Sequence, residues 1–103
     1  MAQNYTALIE LLQRKEARVS NSRWIAPTVQ ILSSNAGLLE EIVREAQSGD
    51  FSHRSCAGEK LQIELMKITR GLGNRGRKAR VFVREYFSKY IKEYLAESKD
   101  NYE

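Results

Sequence analysis

Residues 35–49 spell NAGLLEEIVREAQSG, a stretch that contains the start, the buried side and the end of one α-helix. Asn35 belongs to the residue types that cap helix N-termini, and Gly49 suits the left-handed position that often follows a helix C-terminus. Between them the apolar side chains recur at helical spacing and share one side: Leu38, Leu39, Ile42, Val43 and Ala46. We therefore predict a helix that follows Asn35, reaches about Gln47 and buries that side.

Helical spacing continues towards the N-terminus of the chain. A first helix is predicted from about Gln3 to Ala17, with an apolar side made of Tyr5, Leu8, Ile9 and Leu12. A second helical segment, near residues 22–33, follows a candidate N-cap at Asn21 or Ser22 and carries Trp24, Ile25, Val29 and Leu32. Because proline fits only in the first turn of a helix, this segment begins near Ser22 or restarts at Pro27, and the sequence leaves both starts open.

Two further helices are predicted after the polar loop of residues 49–55. Ser52 or Ser55 caps a fourth helix that extends to about Leu72, with an apolar stripe of Leu61, Leu65, Ile68 and Leu72, widened by Ile63 and Met66. After the glycine-rich turn, a fifth helix runs from about Arg75 to Ala96, with one side made of Ala79, Val83, Tyr86, Phe87, Tyr90, Ile91 and Tyr94. The run Val81-Phe82-Val83 lies inside this helical period, so we interpret it as helix rather than strand.

Amphipathic helices joined by short loops predict an all-α protein, either a compact four- to five-helix bundle or a short helical superhelix. We expect residues 1–96 to form a single α-helical domain, followed by a frayed acidic tail at 97–103. With 42% hydrophobic and 29% charged residues, the composition is typical of a globular domain rather than a disordered or membrane-spanning one. An N-terminus unlike a secretory signal and a single cysteine, Cys56, favour a cytoplasmic location.

The formal net charge of +4 conceals a strongly uneven distribution. Residues 67–92 carry a single acid, Glu85, and nine basic side chains: Lys67, Arg70, Arg75, Arg77, Lys78, Arg80, Arg84, Lys89 and Lys92. The residues before and after this basic segment are each net negative. A concentration of positive charge favours an anionic partner.

Within the basic segment, three arginines fall at helical spacing on one face: Arg77, Arg80 and Arg84. Arginine forks bind phosphate bidentately, and a helix N-terminus adds free N–H groups. We predict a phosphate- or nucleic-acid-binding site made of Arg70, Arg75, Arg77, Lys78, Arg80 and Arg84. The alternative is a solvated face, or arginines paired with the acids of the third helix, Glu40, Glu41 and Glu45.

Two aromatic features extend this hypothesis. Tyr86, Tyr90 and Tyr94 offer stacking surfaces for unpaired bases, although their four-residue spacing is more typical of a buried or partner-facing side. Trp24 is a candidate exposed residue at a protein interface.

The fourth and fifth helices also have the outline of a helix-turn-helix, in which the first turns of the second helix face the major groove.

Catalysis is disfavoured. Residues 71–76, GLGNRG, match a dinucleotide-binding fingerprint, but that motif follows a strand, whereas here a helix is predicted before it. His53 is the only histidine, and with Cys56 it supplies two of the four ligands that a structural zinc site needs. We therefore expect no enzyme activity, no catalytic residues, no cofactor and no metal.

Three binding functions remain. The leading hypothesis is a nucleic-acid-binding regulatory protein, and the alternative is a protein-interaction module or adaptor subunit that binds a protein partner or a second copy. The third is binding to anionic lipid at a membrane surface. Residues 61–87 resemble helices in the superhelical domains of endocytic adaptors, a likeness that covers about a quarter of the chain, contains no diagnostic motif and implies phosphoinositide binding.

Overall fold

A computed structural model of the chain describes residues 6–16, 24–68 and 75–100. Four helices come first: α1 (Thr6–Glu16), α2 (Ile25–Ser34), α3 (Ala36–Gln47) and α4 (Cys56–Ile68). A long C-terminal helix follows in three parts, α5 (Arg75–Phe82), a π-helical segment (Val83–Phe87) and α6 (Ser88–Asp100). No strand occurs in these three ranges, and the predicted all-α helical bundle is confirmed.

The helices enclose one apolar core. Helix α1 packs against α2 and α6, α4 packs against α2, α3 and α5, and α3 also contacts α6. The fully buried side chains come from every part of this arrangement: Leu8, Leu12, Ile25, Leu32, Ile42, Leu61, Leu65, Val83, Phe87 and Ile91. Burying a side chain of this size contributes about 1.5–3 kcal/mol, so the core holds the C-terminal helix firmly against the others.

Trp24 belongs to this core. Its side chain is only 3% exposed, and its ring stacks on that of Phe82 with the centroids 6.3 Å apart. The prediction that Trp24 is an exposed interface residue is therefore wrong. The indole lies at the start of α2 and joins that end of the helix to α5.

The start of α2 differs from both predicted starts. The helix begins at Ile25, which places Pro27 in the first turn, where proline is tolerated. Trp24 occupies the N-cap position without a side-chain hydrogen bond, whereas the buried hydroxyl of Thr28 donates to the Trp24 carbonyl at 2.7 Å. The predicted caps Asn21 and Ser22 lie outside the described residues.

The predicted ends of α3 are confirmed. Asn35 Oδ1 accepts a hydrogen bond from the Leu38 N–H at 3.1 Å. At the other end Gly49 has a φ of +80°, and the N–H groups of Gly49 and Asp50 donate to the carbonyls of Ala46 and Glu45. This pair of bonds is the Schellman arrangement, which satisfies carbonyls that a helix end would leave unpaired.

Two isoleucines of α4 are wrongly predicted to be buried. Ile63 is 48% exposed and Ile68 is 40% exposed. Each residue of an α-helix turns the chain by about 100°, so Ile63, two residues from the buried Leu61, points away from the core. Ile68 shares the side of Leu61 but lies at the end of the described helix.

The π-helical segment explains the spacing of the buried side of the C-terminal helix. Ala79 and Phe87 are eight residues apart, as are Val83 and Ile91, whereas two α-helical turns span about seven. The segment absorbs the extra residue, and the Ser88 N–H donates to the carbonyl of Val83, five residues earlier. All four side chains therefore remain buried.

The helix continues to Asp100, beyond the predicted end at Ala96, and residues 101–103 lie outside the described ranges.

Candidate anion-binding surface

The described part of the predicted phosphate site lies on the exposed side of α5 and the π-helical segment. Arg77, Lys78, Arg80 and Arg84 are all exposed, while Ala79 and Val83 between them are buried. Arg77, Arg80 and Arg84 share one side of the helix, and we call them the arginine face; Lys78 lies about 160° around the axis from Arg80. The buried neighbours hold the helix in place, and the cationic side chains extend into solvent.

Little negative charge opposes the arginine face. Arg84 Nε lies 3.0 Å from Glu85 Oε2, and both side chains are about half exposed. Exposed pairs of this kind contribute at most about 1 kcal/mol, so a phosphate can displace Glu85 at small cost. Among the described residues, Arg77, Lys78 and Arg80 form no ion pair.

Two acids of α3, Glu41 and Glu45, contact α4. Glu41 pairs with Lys60 at 3.1 Å, and their hydrogen bond lowers the pKa of Glu41 and raises the pKa of Lys60. Glu45 Oε2 accepts a hydrogen bond from the Ala57 N–H at 3.2 Å, near the start of α4. Within the described ranges, neither these two acids nor Glu40 pairs with an arginine of α5, so the predicted alternative pairing is not observed.

Part of the predicted site cannot be placed. Arg70 and the side chain of Arg75 lie outside the described part of the chain, as does the turn of the helix-turn-helix outline. The glycine-rich residues 71–74 also lie outside it, although α4 before them is a helix and not the strand that a dinucleotide fingerprint requires.

The loop between α3 and α4 carries two residues that the sequence did not assign to the site. His53 and Arg54 lie in this loop, which is attached to α4 at several points. The Gln62 side chain donates to the His53 carbonyl, and Ser55 Oγ accepts from the Gly58 N–H at 3.2 Å. The second bond identifies Ser55, rather than Ser52, as the cap of α4.

Close approach of the backbone also fixes the loop. Gly58 is buried at the start of α4, and a Cβ at this position would overlap the Ser52 carbonyl oxygen. On the other side of the loop, the ring of Phe51 lies edge-on to that of Phe87 with the centroids 5.7 Å apart. The loop is thus held between α4 and the π-helical segment.

The charges that act on the His53 imidazole are mostly positive. Burial lowers the pKa of the His53 imidazole, and the positive charges of Arg54, Arg84 and Arg80 lower it further, while Glu85 acts in the opposite direction. Three guanidiniums from two separate elements therefore act on one imidazole. The sequence pattern around His53 suggested only zinc binding or catalysis, because nothing in it shows which helix the loop packs against.

The tyrosines form part of the core side of the C-terminal helix. Tyr90 is 5% exposed, its hydroxyl is buried with no hydrogen-bond partner among the described residues, and the ammonium of Lys15 lies 5.7 Å from the ring centroid. Tyr86 and Tyr94 are partly buried against the core, and Tyr86 stacks on Phe82. No aromatic ring within residues 6–16, 24–68 and 75–100 is exposed, so in this structure the tyrosines do not present the predicted stacking surface.

Cys56 is exposed at the start of α4, and no group of three or more His, Cys, Asp and Glu side chains in the described ranges could hold a metal ion. None of the described helices combines the length and apolar character needed to cross a membrane.

No family model, curated protein or solved structure matches the chain. The candidate function therefore depends on the chemistry of the surface alone.

Proposed function

We propose that the protein is a small nucleic-acid-binding regulatory protein that contacts phosphates through the arginine face. One observation carries this proposal: Arg77, Arg80 and Arg84 are exposed together on one side of a helix whose other side is fixed in the core. Each cation that neutralises a phosphate releases condensed counterions, and this release drives association. Arginine also matches the geometry of two phosphate oxygens better than lysine does.

The burial of the aromatic rings favours contact with the backbone of a duplex over stacking on unpaired bases. Proteins that hold single strands usually stack the bases on aromatic side chains. On this surface the exposed groups are guanidiniums, whereas Tyr86 and Tyr90 face the core. We therefore expect a preference for double-stranded over single-stranded nucleic acid.

The test is a fluorescence-anisotropy titration of duplex and single-stranded DNA and RNA at several salt concentrations. It compares the unchanged protein with the variant Arg77→Ala, Arg80→Ala, Arg84→Ala. A matched variant, Arg14→Ala, Arg44→Ala, Lys60→Ala, removes the same charge from exposed positions elsewhere. Three lost phosphate contacts should reduce the slope of log affinity against log salt by about 2–3, since each contributes about 0.9 on duplex DNA.

Comparison with the matched variant shows whether the affinity for nucleic acid depends on the arginine face or on the net charge of the protein. If both variants weaken binding equally, net charge and not the arginine face determines affinity. If the unchanged protein binds none of the four nucleic acids at low salt, the proposed function is wrong. Binding to vesicles with anionic lipid would then support the lipid-binding alternative.

The structure gives less support to a protein-interaction module. Such a surface usually has an apolar centre that includes aromatic anchors. The large exposed apolar side chains of the described residues are Ile63 and Ile68, which lie about 140° apart around α4 and do not form one stripe. The burial of Trp24 removes one of the two features that suggested that alternative, the other being the aromatic-rich C-terminal helix.

A further inference from the structure

We infer that Lys92 extends the arginine face across the π-helical segment into α6, so that one row of cations, about 20 Å long, follows the phosphate backbone of a nucleic-acid duplex. This extension rests on the proposed function and deepens it, because it adds a contact residue and gives the binding surface a length. The row consists of Arg77, Arg80, Arg84 and Lys92.

The π-helical segment determines which side of α6 continues the arginine face. Val83 and Ile91 are eight residues apart and are 0% and 1% exposed. Arg84 and Lys92 directly follow these two buried residues, and both are exposed. In a regular α-helix, eight residues would turn Lys92 by about 80° away from Arg84. The extra residue of the π-helical segment removes most of this rotation, so Arg84 and Lys92 lie on one side of the helix.

The side chain of Lys92 has neighbours from the rest of the fold. It lines a cleft between the end of α3, the α3–α4 loop and the C-terminal helix, where Ala46, Phe51 and Ile91 are among the other lining residues. These apolar neighbours offer a surface to the methylene groups of a lysine, whose ammonium stays in solvent. Lys92 is therefore placed at the end of the row by contacts with three elements.

The acids next to the row are already paired within the protein. Glu93 pairs with Lys15 of α1 at 3.1 Å, and Glu85 pairs with Arg84 at 3.0 Å in an exposed contact. Within residues 6–16, 24–68 and 75–100, Lys92 forms no ion pair. Its ammonium is thus available to an anion from outside the protein.

The length of the row favours a duplex as its partner. Arg77 and Lys92 are fifteen residues apart, which corresponds to about 20 Å along the helix. A single phosphate, as in a mononucleotide or a lipid headgroup, is too small to reach both ends. A duplex carries a phosphate about every 3.4 Å along each strand and is stiff over about 500 Å. Several phosphates can therefore face the row at once without loss of chain freedom.

The test compares single substitutions on two sides of the same helix. Lys92→Ala and Lys78→Ala each remove one exposed lysine, but Lys78 lies about 160° around the axis from Arg80 and outside the row. Because Lys78 is closer to the arginines in sequence, an effect of net charge or of sequence proximity would be at least as large for Lys78 as for Lys92. Circular dichroism checks that both variants remain folded.

Binding to a short DNA duplex is measured by fluorescence anisotropy at several salt concentrations. Lys92→Ala should reduce the slope of log affinity against log salt by about 0.9, which is the contribution of one phosphate contact on duplex DNA. Lys78→Ala should reduce it by less than about 0.3, and Lys92→Arg should retain the slope of the unchanged protein.

A long chain of inorganic polyphosphate serves as a second probe, because it is a linear polyanion without bases or sugars. If duplex binds but Lys92→Ala changes the slope no more than Lys78→Ala does, the row is wrong and the proposed function stands. If no duplex binds, while polyphosphate binds and Lys92→Ala weakens its binding more than Lys78→Ala does, the row is supported and the proposed function is wrong. Absence of binding to both probes overturns both.

Discussion

The ring of Phe51 lies edge-on to the ring of Phe87, with an interplanar angle of 62° and the centroids 5.7 Å apart. Phe87 is fully buried in the π-helical segment, whereas Phe51 is partly buried in the α3–α4 loop. The contact therefore joins a loop to a core helix far away in sequence. It fixes the loop against the C-terminal helix.

Replacing Phe51 by Ala should loosen the loop. Loss of partly buried apolar area and of one aromatic pair should lower the free energy of unfolding by about 2 kcal/mol, measured by urea denaturation. The pKa of His53 should move back towards its ordinary value, because the imidazole would be less buried and would feel less of the positive charge of the arginines. Phe51→Leu should retain more of both properties, and a pKa equally low in both variants would show that Phe51 does not position the loop.

The Asn35 cap gives a second stability prediction. Asn35→Ala removes the acceptor for the Leu38 N–H, and loss of such a cap costs about 1 kcal/mol of unfolding free energy. Ser33→Ala, an exposed position in the preceding turn, should change the free energy by less than about 0.5 kcal/mol. Equal effects of the two substitutions in urea denaturation would contradict the assigned cap.

Two glycines in helices should respond oppositely to alanine. At Gly58 a Cβ would overlap the Ser52 carbonyl oxygen, so Gly58→Ala should destabilise the protein by about 3 kcal/mol and displace the loop. At Gly37 the nearest atom to an added Cβ is Asn35 Oδ1, at an ordinary contact distance of 3.6 Å. Gly37→Ala should therefore stabilise α3 by about 0.5–1 kcal/mol. A thermal shift of the same sign for both variants would contradict the close packing of Gly58.

The dependence of stability on pH follows from His53. Its pKa is lowered in the folded protein, so the unfolded chain binds the proton more readily below about pH 6.5. Protonation then favours unfolding, and this residue makes the protein less stable as the pH falls from about 7 towards 5. His53→Gln should lose this dependence, so the unfolding free energy of the unchanged protein should fall relative to the variant over that range. A constant difference between the two proteins across these pH values would argue against a lowered pKa.

Local signals in the sequence predicted the secondary structure where cap and turn chemistry determines it. Asn35, Gly49 and Ser55 mark helix ends through bonds within a few residues of themselves, so each could be identified without the tertiary structure. Periodicity also placed Leu61 and Leu65 in the core. Periodicity misplaced Ile63. This residue is apolar like Leu61 and Leu65, but it lies on the opposite side of the helix and is therefore not buried.

The candidate site was predicted only in part. Exposed arginines of one helix can be recognised from their spacing, and Arg77, Arg80 and Arg84 are exposed as expected. The surroundings of His53 depend on how the α3–α4 loop packs against the C-terminal helix. No local pattern encodes that packing, which results from contacts such as Phe51 with Phe87 between distant parts of the chain.

The π-helical segment of the C-terminal helix holds one residue more than the same length of α-helix would need. Elsewhere in that helix, adding or deleting a residue would rotate every later side chain by about 100° around the axis. A deletion within Val83–Phe87 would instead convert the segment to an ordinary α-helix and keep α5 and α6 aligned on the core. Within the described part of the helix, the loss of one residue is therefore tolerated best in this segment.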